Sequence, residues 1–167
     1  MKTLSKLLIA SSVAAFFSTN ALAADNDTHL TGEVKAVCEA KVLKDLDFGQ
    51  DGITAGAMLN TPVKIRCNDA DGATVKLISS EGGLESDDNE DFSVEYTADL
   101  TEGASGLNIS LTTSPGVGLN DEFEEQTLPG SLALAGGVDA DLKVTVNDSP
   151  VFAGGYSDTL TVTIAAN

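Results

Sequence analysis

Residues Gly154–Asn167 read GGYSDTLTVTIAAN. Leu160, Val162 and Ile164 share one parity, and Thr159, Thr161 and Thr163 share the other. Successive side chains of a strand point to opposite faces, so this period of two predicts a half-buried β-strand. A strand of this quality wants a neighbour on each side. Nothing follows Asn167 in the sequence, so the expectation is a terminal strand with an edge that the chain itself leaves unshared.

The same period recurs upstream. Val63, Ile65 and Cys67 alternate with Lys64 and Arg66, and Val75 and Leu77 flank Lys76. Phe92, Val94, Tyr96, Ala98 and Leu100 form one alternating set. Leu107, Ile109 and Leu111 form a second, and Leu142, Val144 and Val146 a third. Turn-rich stretches such as SEGGLESDDNED, TEGASG, SPGVG and NDSP separate these runs. Many short strands at such spacing predict an all-β sandwich or barrel in one domain. No long amphipathic helix is expected, and Glu39–Asp47 is read as strand plus turn. Near the N-terminus Leu30, Gly32, Val34 and Ala36 share one parity. They predict a strand running into Cys38, whether it pairs within the chain or with another chain.

The first 23 residues are expected to be a removable leader. Lys2 and Lys6 precede the apolar run Leu7–Phe17, and Ala21-Leu22-Ala23 offers a small-residue cleavage site. The domain then covers residues 24–167, and the only cysteines, Cys38 and Cys67, both fall within it. An even cysteine count in an exported chain predicts one disulfide, with a chain-entropy contribution of about 3–4 kcal/mol. The formal charge is −17. Such an acidic chain is expected to bind neither nucleic acid nor an anionic membrane, and no segment suggests direct membrane insertion.

Candidates for chemistry are few. The single histidine, His29, lies in the polar N-terminal tail, far from anything that would hold a catalytic base or a multi-histidine zinc site. The acids cluster at Glu85–Asp91 and Asp121–Glu125, read as solvated loops. The stretch NDADG, Asn68–Gly72, looks like a calcium loop. Aligned on Gly72, however, Cys67 and Ile78 occupy the first and twelfth ligand positions, so a turn is the better reading. The expectation is no catalytic residue, no metal and no cofactor.

Four stretches together resemble the chaperone–usher pilins, closest to the archaic and spore-coat-U-like branch. Cys38 closes the N-terminal alternation, and Leu46-Asp47-Phe48-Gly49 resembles an L-x-F-G turn. Val63–Cys67 resembles the strand bearing the second cysteine. Residues Ala153–Ile164 resemble the terminal A-G-x-Y-x-D-T-L-x-V-T-I strand. The resemblance implies an immunoglobulin-like sandwich that lacks its final strand. It implies a donor segment within about residues 24–36 that presents Leu30, Gly32, Val34 and Ala36. It also implies an acceptor groove lined by Tyr156, Leu160, Val162 and Ile164. The implied partners are a periplasmic chaperone, an outer-membrane usher and identical subunits, in a fimbria that supports adhesion or biofilm formation at the cell surface. The alternatives are a complete secreted sandwich binding calcium or a small ligand, and a hydrolase using loop carboxylates.

Overall fold

The computed structural model describes residues 28–50, 52–89, 92–114 and 121–167. It divides into Met1–Glu33 and Val34–Asn167. Of the first unit, residues 28–33 are described; they carry no regular secondary structure and are exposed. The expected leader, residues 1–23, lies outside the described residues.

The second unit is all-β apart from one short helix. In chain order its strands are β1 (Cys38–Val42), β2 (Met58–Cys67), β3 (Ala73–Ser79), β4 (Leu84–Ser86), β5 (Ser93–Val94), β6 (Tyr96–Glu102), β7 (Leu107–Thr112) and β8 (Glu122–Leu128). The helix α1 (Leu132–Gly136) follows, then β9 (Val138–Val146), β10 (Tyr156–Ser157) and β11 (Leu160–Ala166). Every strand pair is antiparallel. One sheet has the order β1-β2-β9-β6-β7, a second has β11-β3-β8, and a small third sheet is β10-β4-β5.

The first two sheets share one core, as in a sandwich. Val63, Ile65, Leu100, Ile109, Leu142 and Val144 come from the first sheet; Val75, Leu77 and Leu128 come from the second. The alternation read from the sequence is the alternation of burial: β3 buries Ala73, Val75, Leu77 and Ser79 while Thr74, Lys76 and Ile78 stay half-buried. Cys38 and Cys67 are bonded and face each other in the β1–β2 register.

Four readings need correction. The run Leu30–Ala36 forms no strand with its own chain among the described residues; β1 begins at Cys38, and Leu30 and Val34 are 91% and 85% exposed. An alternating run forms a ladder only where it finds a partner backbone, and this one has none among the described residues. The set from Phe92 to Leu100 is not one strand either. Ser93–Val94 pairs with β4, whereas Tyr96–Glu102 pairs with β7 and β9, so the chain changes sheet at Glu95. Phe92 is consequently outside the core and meets Phe152 edge to face at 4.6 Å. Asp121–Glu125 is no loop, because Glu122–Glu125 belong to β8. Tyr156 lies on β10, paired with Ser86, and not on the terminal strand.

Candidate functional site

The two large sheets meet along two flanks. On one flank the edges β7 and β8 are tied together by a side chain. Gln126 of β8 accepts the Asn108 N–H at 2.7 Å and donates from Nε2 to the Gly106 carbonyl at 3.0 Å. Glu122 adds a further tie by accepting the Ser114 N–H at 2.9 Å. This flank is closed.

On the other flank the edges are β1 and β11, and no hydrogen bond joins them among the described residues. β11 pairs with β3 from Leu160↔Ser79 to Ala166↔Ala73 and, among the described residues, has no strand on its far side. Its apolar residues Leu160, Val162 and Ile164 pack on the core but remain only half-buried, whereas Val75 and Leu77 of the adjacent β3 are fully buried. Opposite them stand Ala40, half-buried, and Val42, 37% exposed. The two edges come within 8 Å between Cα atoms, so the result is a narrow apolar seam, in contact but not hydrogen-bonded. An unpaired edge with an apolar face is a template for another strand.

The seam widens where β1 ends and β11 begins, into a cleft of about 1040 Å³ lined in part by Val42, Phe48, Thr61, Leu142, Tyr156 and Leu160. Its position follows from strand lengths. β1 covers β2 only from Cys67 to Val63, so the Met58–Thr61 half of β2 lacks a neighbour on that side. Thr61 is 1% exposed, and its hydroxyl oxygen has no hydrogen-bond partner. A buried polar atom left unpaired costs about 1–3 kcal/mol.

The start of β11 is pinned by Asp158. Its carboxylate accepts hydrogen bonds from the Tyr96 hydroxyl, from Ser79 Oγ at 2.6 Å and from the Glu81 N–H at 3.0 Å. Ser79 Oγ in turn accepts the Gly82 N–H at 2.9 Å. Burial, reinforced by the hydrogen bond to Asp158, pushes the Tyr96 hydroxyl well above the ordinary tyrosine range, so it stays protonated and donating. Asp158 was not among the site residues read from the sequence. Its signal lay inside the terminal motif, as the acid two residues before Leu160.

Of the residues expected to line a groove, the structure brings Leu160, Val162 and Ile164 to the seam, and Tyr156 to the wall of the cleft. Leu30, Gly32, Val34 and Ala36 are exposed. His29 is exposed as well, and among the described residues no group of three or more His, Cys, Asp or Glu is arranged to hold a metal. Nor is any described helix long and apolar enough to cross a membrane. No protein-family model, no curated protein and no solved structure matches this chain.

Proposed function

We propose that this chain is a structural subunit of a bacterial surface fibre, assembled by strand exchange. In this reading the domain is an immunoglobulin-like sandwich whose edges β1 and β11, with Cα atoms within 8 Å of each other, part to admit one further strand. A periplasmic chaperone fills that place first. An N-terminal segment of the next copy, Leu30–Ala36, then replaces it at an outer-membrane usher. The subunit does no chemistry; the fibre supports adhesion or biofilm formation.

The observation that carries the reading is the one-sided edge of β11, with its apolar face half covered. The seven-residue strand Leu160–Ala166 matches in length the alternating run Leu30–Ala36, which joins no strand among the described residues. Backbone pairing would supply affinity, and the alternate side chains would supply register. Burying Leu30 and Val34 would contribute about 1–3 kcal/mol each. That is a large addition to a domain whose stability is of order 5–15 kcal/mol.

The test is assembly. The protein from His29 onward should form multimers that resist detergent. The protein lacking residues up to Ala36 should not, yet its groove should bind a synthetic peptide of residues 30–36 and gain thermal stability. Multimers from the truncated protein would overturn the reading. The unpaired Thr61 hydroxyl beside the cleft favours a second reading, a small-ligand binding module. In that case the truncated protein would be fully stable alone and indifferent to the peptide.

A further inference from the structure

The β1–β2 ladder ends in an unusual way. Past the Cys38↔Cys67 pair, the Asn68 N–H still donates to the Val37 carbonyl at 3.2 Å. A continued antiparallel ladder would return the Val37 N–H to the Asn68 carbonyl. Instead the Val37 N–H donates to Asn68 Oδ1 at 2.6 Å, and Asn68 Nδ2 donates to the Lys35 carbonyl at 3.2 Å. The carboxamide thus accepts from residue 37 and donates to residue 35. That is the pair of bonds the N–H and C=O of a single residue in a parallel neighbouring strand would make around Ala36. Beyond Asn68 the backbone turns away through Asp69–Gly72, where Asp69 Oδ1 accepts the Asp71 N–H at 2.9 Å. The main chain can then offer Lys35 and Val37 nothing more, and the side chain takes its place.

Ala36, which this carboxamide brackets, has the parity of Cys38 and Ala40, whose side chains pack on the core. Leu30, Gly32 and Val34 have the same parity. A strand keeps its faces only while the backbone stays extended, and a turn at Ala36 would break the phase.

We propose that Asn68 is a positioning residue for strand donation: its carboxamide substitutes for a strand neighbour at Lys35–Val37 and keeps the donor segment extended, in phase with β1. The inference rests on the strand-exchange reading. Asn68 does not line the cleft, and its side-chain hydrogen bonds go to Lys35 and Val37 at the donor's root. It therefore governs how a subunit gives its strand and not how it receives one.

The full chain, Asn68→Ala and Asn68→Asp are compared in three measurements: amide exchange at Val37, the rate of forming detergent-resistant multimers, and binding of a synthetic peptide of residues 30–36 to the groove. In Asn68→Ala, Val37 exchange should quicken and multimer formation should slow about tenfold, while peptide affinity changes by less than about twofold. Asn68→Asp keeps an acceptor for Val37 but no donor for Lys35. It should retain Val37 protection and assemble at an intermediate rate. Wild-type assembly by Asn68→Ala would overturn the inference while leaving strand exchange intact. Loss of peptide binding in Asn68→Ala would also overturn it, because the residue would then act on the whole fold. Failure of the wild-type groove to bind peptide would refute the strand-exchange reading itself, and this inference with it.

Discussion

Val162 sits mid-strand, with backbone paired on one side and side chain half-buried against the core. Val162→Asp would set a carboxylate on that face with no partner for its charge. A loss of about 2 kcal/mol in a urea titration is expected, and added donor peptide should not restore it. Gly72 is constrained in a different way. Its φ is +100°, and a Cβ there would collide with the Leu128 carbonyl. Gly72→Ala should cost about 2 kcal/mol or more, whereas Gly103→Ala, with nothing within 4 Å, should be close to neutral. Tyr96 predicts an alkaline weakness. Its folded pKa is raised, so the stability it lends is complete below the unfolded value near 10 and is lost as pH rises beyond it. Melting curves at pH 9 and pH 11 should diverge more in the wild type than in Tyr96→Phe. At this scale the sequence was partly legible. The cysteine pair and the apolar faces could be read from an even cysteine count and from parity. Asn68 and Asp158 could not, because a polar residue beside a turn looks the same whether it is solvated or clamps a distant backbone.

Among the elements, β7 was legible and β8 was not. β7 buries Leu107, Ile109 and Leu111 and exposes the residues between them, which is the pattern a period count detects. In β8, Glu122, Glu124 and Gln126 share the parity of buried Leu128, while Phe123 lies on the other face, 52% exposed beneath the Lys76 ammonium at 3.9 Å. The pattern is inverted because the inward parity reaches across to β7 and Ser114 with polar groups. Inward-pointing charge is also a device that discourages pairing at a sheet edge. A double variant Glu122→Val and Glu124→Val should therefore self-associate through β8, seen as rising light scattering with the fold retained. The two-residue strands β5 and β10 were absorbed into longer runs for a simpler reason: each is too short to show a period of its own. The open seam was legible only as an unshared edge. That β1 would be its opposite wall depended on sheet order, which alternation does not encode.

For the molecule as a whole, the Cys38–Cys67 bridge joins β1 to the rest of the sheet. Reduction should lower stability by about 3–4 kcal/mol, and a non-reducing mass should be that of the oxidised chain. The acidic surface gives a second whole-molecule expectation. The Ser110 hydroxyl and then Lys143 hold the Asp99 carboxyl below its usual range, and the Ala104 and Ser105 N–H groups do the same for Glu102. Carboxyls with lowered folded pKa values stabilise above their unfolded values of about 4 and lose that contribution as pH falls through the folded ones. Thermal melts should fall below pH 4, with Asp99→Asn flattening the slope. The second sheet, finally, has two edges of opposite character. β8 carries polar side chains on its core-side parity and is tied across to β7, while β11 presents threonines and a half-covered apolar face. On the strand-exchange proposal, a particle that accepts a strand along one edge only, and donates one strand in return, would have a valence of two. Its assemblies would then grow as single unbranched files and would not knit into sheets.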